Sequence, residues 1–187
     1  GGISFTDGVN ITGSITASGI DNLLYLQSGA TGTPTLRFEQ GTTRRAFLRY
    51  QNAGQFDIIN EYGDVTFWTG TSGSESQKMT VKQSGNVGIG TTSPEVNLHV
   101  FKGESGGAAA NTDSSLVLEN DSHTYVQFLT PTNKESGLLF GDNDNDNGAL
   151  TYSHNTNNMT FRAAGANRMT LVGSTGNVGI GTTSPSA

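Results

Sequence analysis

The sequence predicts an all-β fold made of many short antiparallel strands and hairpins, on three observations. Apolar residues recur in pairs at i and i+2, the spacing that puts side chains on one face of a strand. Clusters of Gly, Ser, Asn and Asp separate the pairs, and these residues suit turns. No stretch keeps the i, i+3, i+4, i+7 spacing of an amphipathic helix. The nearest approach, residues 108–110, follows two glycines and precedes the turn-prone Asn111-Thr112-Asp113.

Each element follows from this pattern. Leu36 and Phe38 open the series, and residues 47–50 form the next strand, with Arg44-Arg45 in the turn between them. Phe56 with Ile58, Val65 with Phe67, Met79 with Val81, and Val87 with Ile89 continue it, and residues 97–100 read as a further strand. The second half gives Leu116 with Leu118, Val126 with Phe128, residues 138–140 and 149–152, Met159 with Phe161, Met169 with Leu171, and Val178 with Ile180.

The chain also repeats itself, and repeats decide architecture. Residues 85–94 and 176–185 are the same ten letters, Gly-Asn-Val-Gly-Ile-Gly-Thr-Thr-Ser-Pro. Upstream, Lys78-Met79-Thr80-Val81 matches Arg168-Met169-Thr170-Leu171, and Val65-Thr66-Phe67 matches Met159-Thr160-Phe161. Residues 35–39 resemble 115–119. The expected organisation is an N-terminal β shaft segment at 1–30, a first β repeat at 31–100 and a second at 101–187, with the parent chain continuing. The extra Ser- and Gly-rich residues 69–77 of the first copy are expected to be a surface loop, where insertions cost little.

Composition explains why one chain needs company. Of 187 residues, hydrophobic types make up 33% and charged types 14%, with 26 glycines. Ordinary domains carry about 45–50% apolar and about 25% charged residues. Two inward side chains per strand bury little area at about 25 cal/mol per Å², against about 1–2 kcal/mol of backbone entropy per residue. A partner chain that completes the core and covers the strand edges is the expected remedy. With no cysteine, the chain forms no disulfide and offers no thiol chemistry or Cys metal site. A net charge of −6, with only a local cluster at Arg37, Arg44, Arg45 and Arg49, lacks the broad basic footprint of a nucleic-acid binder. The apolar runs are too short for a transmembrane helix.

The decapeptide has its own physical reading. Gly85-Asn86 and Gly176-Asn177 suit tight turns with positive φ. Gly88, Gly90, Gly179 and Gly181 carry no Cβ and permit close backbone approach, as near a crowded axis. Pro94 ends the pairing. Met79, Val81, Val87, Ile89, Met169, Leu171, Val178 and Ile180 are then the expected inward residues of the shared core.

The repeated decapeptide, preceded by Arg-Met-Thr-Leu, resembles the repeats of bacteriophage tail fibres and related trimeric adhesins, in which it often precedes a C-terminal intramolecular chaperone domain. Residues 137–142, 152–155 and 158–161 also look like that family's longer module, and residues 9–19 like its shaft segments. The resemblance implies an elongated homotrimeric β fibre in the virion tail, outside the cell. It implies attachment to other tail or baseplate proteins and to a host glycan or protein receptor. The expected role is structural and adhesive, without enzymatic activity, cofactor, nucleic acid or membrane insertion. The alternatives are a glycan-binding or glycan-degrading tailspike tip and a subunit of a bacterial extracellular surface filament.

Chemical readings are weaker. Residues 85–92 lack the Lys and the following helix of a phosphate loop. Asp142, Asp144 and Asp146 evoke a calcium loop, yet neither register supplies Gly at position six together with the closing Glu at twelve; a solvated turn is the expectation, a loose Ca²⁺ or Na⁺ site the alternative. His99, His123 and His154 lack metal-ligand spacing, and no nucleophile elbow occurs. Asp57 and Glu61 are candidates for a glycosidase carboxylate pair. Arg44 and Arg45, with Tyr50, Tyr62 and Trp68, could hold sugars, but pairing of the arginines with Glu39, Asp57 or Glu61 is preferred.

Overall fold

The computed structural model describes residues 32–51, 53–107 and 109–186. The expected shaft segment at 1–30 lies outside them. The described residues hold thirteen strands and no helix, so the all-β expectation stands. The strands form three sheets, and the chain divides into two compact units between His123 and Thr124.

The first unit holds two sheets. Strands β1 (Thr35–Gln40), β2 (Thr43–Tyr50) and β3 (Phe56–Asn60) form an antiparallel meander. The β1–β2 hairpin turns on Gly41-Thr42, with Gly41 at φ +62. A glycine at the first loop position is what a II′ turn requires. Arg44 and Arg45 thus lie inside β2, not in the turn where the sequence placed them; the glycine sets the turn two residues earlier.

The other sheet of this unit runs β4 (Val65–Thr69), β5 (Ser76–Val81), β6 (Val87–Ile89), β7 (Leu98–Phe101), β8 (Leu116–Glu119). Antiparallel pairing holds from β4 to β6, but β6–β7 and β7–β8 are parallel. The sequence predicted antiparallel strands throughout. Period-two alternation fixes the face of a side chain and says nothing of strand direction. Residues 90–97 make the first parallel connection without a helix. They run back along the sheet, and Val96 is buried there.

The second unit is one antiparallel meander of β9 (Glu135–Phe140), β10 (Gly148–Ser153), β11 (Asn158–Ala163), β12 (Ala166–Leu171) and β13 (Val178–Ile180). Residues 123–130 belong to no strand, although Val126 and Phe128 have strand spacing. Alternation needs a neighbouring ladder to become a strand. Instead, Phe128 helps line a hollow of about 190 Å³ with Leu138, Leu150, Tyr152 and Met159.

The matched segments around the decapeptide pair in matched registers, whereas residues 35–39 and 115–119 do not, β1 pairing antiparallel with β2 and β8 parallel with β7. Met79 faces Ile89, Thr80 faces Gly88, and Val81 faces Val87. In the second unit, Met169 faces Ile180, Thr170 faces Gly179, and Leu171 faces Val178. The same bulge follows Phe67 and Phe161. The glycines are explained locally. A Cβ on Gly88 would lie 2.6 Å from the Thr91 carbonyl oxygen, and one on Gly179 would lie 2.3 Å from that of Thr182. In both copies the Thr-Thr-Ser-Pro loop therefore folds over the glycine. Gly90, at φ +78, faces the Phe101 carbonyl. The close approach foreseen at an axis between chains is, at these glycines, an approach within one chain. Gly85 (φ +98) and Gly176 (φ +77) take the left-handed turn positions, whereas Asn86 and Asn177 do not join them.

Two tests follow from this geometry. Gly88→Ala pushes a methyl into backbone that cannot swing away, and should lower stability by about 2 kcal/mol or more in denaturant titration. The β11–β12 hairpin turns on Ala164-Gly165, both at positive φ (51 and 68). Alanine tolerates that region poorly, whereas Asn-Gly suits it. Ala164→Asn should therefore raise stability by about 1 kcal/mol by the same measurement.

Candidate functional site

The functional candidates are surfaces, and each sheet presents two unlike faces. In the β4–β8 sheet, paired residues share a face. Val65 and Phe67, Met79 and Val81, Val87 and Ile89, Leu98 and Val100, and Leu116 and Leu118 form one apolar face. In the second unit, Ile180, Met169, Phe161, Leu150 and Leu138 form one row across the sheet, and Val178, Leu171, Met159 and Tyr152 the next. In the β1–β3 sheet, Leu36, Leu48 and Ile58 line up, flanked by Phe38 and Ala46 and by Tyr50 and Phe56.

Within one chain these faces lie largely open. Phe56 is 62% exposed, Leu116 52% and Ile180 81%. The residues expected to form a shared core all lie on such faces. Met79, Val81, Val87 and Met169 are half-buried, while Ile89, Leu171, Val178 and Ile180 are exposed. A shallow groove of about 360 Å³, lined by Phe38, Leu48, Ile58 and Val65 among others, marks the first unit.

On the opposite faces of the β4–β8 sheet and of the second unit, small residues and some hydrogen-bonded groups are buried. Thr80 and Thr170 are fully buried. Thr151 and Thr160 hydroxyls bond each other at 2.7 Å. His99 is buried opposite Gly88, and its Nε2 lies 3.0 Å from Glu119 Oε2. Glu119 also accepts from the Ser105 N–H at 2.9 Å and the Ser105 hydroxyl at 2.8 Å. The Ser105 bonds, with a smaller contribution from His99, hold its carboxyl below the usual range.

The arginine cluster is paired off. Asp57, buried on β3, accepts from Arg49 Nε at 2.6 Å, Gln51 Nε2 at 2.6 Å and Gln55 Nε2 at 2.7 Å. The Arg49 bond is the main reason its carboxyl titrates low. Glu61 receives a two-pronged pair from Arg44, which depresses it likewise. Arg37 pairs with Glu39 at 2.6 Å. Arg45 stacks over the Tyr62 ring at 4.2 Å, and Arg44 over Phe47 at 4.5 Å. The preferred ion-pair reading thus fits Arg44, Arg49 and Arg37, while Arg45 is held by an aromatic ring. Asp57 and Glu61, weighed as a carboxylate pair, are each engaged by a separate arginine.

The acidic loop is also engaged locally. Asp142 Oδ1 accepts from the Asp144 N–H at 3.0 Å, and Asp144 Oδ1 from the Asp146 N–H at 3.4 Å. Asp146 pairs with Arg162. No group of three or more His, Cys, Asp or Glu that could hold a metal occurs among the described residues. No helix of the described residues is long and apolar enough to cross a membrane.

What sequence reading missed was the sealing face. Thr80, Thr170 and His99 are buried, whereas period two singles out only the apolar residues that flank them. The signal was the identical spacing of Thr and Gly in both copies. No protein-family model matches the chain, and no curated protein shows significant similarity to it.

The ion pairs predict an acid limb. Asp57, Glu61, Asp64 and Glu119 all titrate below their ordinary values in the folded chain. A lowered folded value adds stability that is complete above the ordinary carboxylate range, about pH 4. It is lost as pH falls through the folded values. The thermal midpoint should therefore drop below about pH 4. Asp57→Asn should lower the midpoint near neutral pH and make the acid fall shallower.

Proposed function

We propose that this chain is a non-enzymatic structural and adhesive segment of a trimeric bacteriophage tail fibre. It extends and stiffens the fibre and helps present it to the host surface, from a virion tail whose other proteins hold its far end. One observation carries the association: every sheet keeps an apolar face largely uncovered, while burial falls on residues of the opposite face such as Thr80, His99, Thr151 and Thr170. Fully burying a Leu, Ile, Val, Phe or Met side chain is worth about 1.5–3 kcal/mol, so a shared apolar layer between copies supplies what one chain lacks. The number of copies and the phage setting come from the resemblance of the duplicated decapeptide to tail-fibre repeats.

Light scattering on the purified chain should give a mass of three times 19.6 kDa; a clean monomer overturns the reading. Phe161→Asp places a carboxylate in the apolar layer of every copy, where burial of an unpaired charge costs several kcal/mol. It should reduce the measured mass. Glu135→Gln, outside the apolar rows, should leave the mass unchanged.

A further inference from the structure

The two copies of the decapeptide differ in one structural respect. Strand β6 is paired on both edges, with β5 antiparallel on one side and β7 parallel on the other. Strand β13 has the same three residues, Val-Gly-Ile, and pairs with β12 in the register that β6 uses with β5. On its other side β13 ends the sheet among the described residues.

The backbone of β13 matches that of β6 where a partner would attach. In β6, Val87 N–H points away from β5 and donates to the Asn97 carbonyl at 2.8 Å. By the alternation of a strand, Val178 and Ile180 direct their N–H groups away from β12, while Gly179 faces it. The neighbouring bonds agree: Asn177 accepts from Val172 at 2.9 Å, and Gly181 donates to Arg168 at 2.9 Å, both on the β12 side. The loop after the glycine also follows the same course, with the Thr91 and Thr182 carbonyls over Gly88 and Gly179. An unpaired edge of this kind is a template for a further strand.

We infer that the outer edge of β13 is a docking edge for a parallel β-strand with the chemistry of β7. That strand reads Leu98-His99-Val100-Phe101. In β7, Leu98 and Val100 stand beside Val87 and Ile89 on the apolar face, and His99 lies opposite Gly88 on the sealed face. On β13 the same register puts Leu beside Val178, Val beside Ile180, and the imidazole opposite Gly179, where no Cβ obstructs it. The added strand extends the apolar face of the second unit as β7 extends that of the first. The inference rests on pairing within one chain and does not depend on the number of copies in the fibre.

The test uses the full chain, labelled with ¹⁵N, and a synthetic peptide of residues 95–103. Saturating peptide should slow amide exchange at Val178 and Ile180 at least about fivefold, while Gly179, already bonded toward β12, changes little. Ile180→Pro removes an outward N–H and leaves the β12 side intact, as edge prolines do; it should abolish the response. A peptide with Leu98 and His99 exchanged puts the apolar residue on the wrong face and should fail to bind. The inference is overturned if millimolar peptide leaves both amides unchanged. It is equally overturned if the exchanged peptide or Ile180→Pro responds as well, or if both amides are already protected without peptide. Light scattering on the same samples reports the copy number separately, so failure of the fibre reading and failure of the docking edge remain distinguishable.

Discussion

The fold depends on sheets that seal one face from within and leave the other to be covered. Phe47, Val96 and Ala149 are the buried apolar side chains of the described residues. The deepest burial falls on Thr80 and Thr170 instead. A threonine row with glycine beside it brings a loop carbonyl down onto the sheet, as Thr91 over Gly88 shows. Backbone sits where another protein would place a hydrophobic layer. Most of the large apolar side chains of the β4–β8 sheet and of the second unit turn the other way. A single chain thus gains little apolar burial, and its stability rests on ladders, tight turns and ion pairs.

The polar interactions support this economy. Exposed ion pairs are worth little singly, but Asp57 is buried and accepts three hydrogen bonds from side chains on the flanks of one hairpin. That arrangement ties the ends of β2 and β3 together across the short residues 51–55. Phe47, with Arg44 and Arg49 over its ring, sits on the same face. The arginines therefore roof an aromatic side chain and neutralise carboxylates at once. This accounts for their clustering without any anionic ligand.

Much of the fold was legible because its signals are local. Period two located most of the strands, and the duplicated decapeptide takes the same register in both copies. Strand direction was not legible, since Leu98 and Val100 alternate identically in parallel and antiparallel pairs. The segment around Val126 and Phe128 misled for a related reason: its pattern is that of a strand, but pairing is a property of two segments. The burial of Thr80 and Thr170 was not legible either, because period two singles out only the apolar residues that flank them. A threonine between two neighbouring strands and beneath a loop is small enough to be buried there, and the apolar residues beside it remain open.

The duplicated decapeptide is best understood as a strand with two edges and two faces already specified. Gly88 fixes the sealed face, Val87 and Ile89 the open one, and the left-handed Gly85 the turn into β5. The loop that follows lies across the sheet, so the next strand enters from the same end as β6 and runs parallel to it. In the first copy the parallel direction is thus reached through residues 90–97, without a helical crossover. A short unit with those properties can be reused along a chain while the segments between copies vary. The two copies differ in that way: the first precedes a pair of parallel strands, whereas the second closes a five-stranded antiparallel meander. In both, loop backbone covers the glycine from one side, and the apolar residues beside it stay largely open on the other.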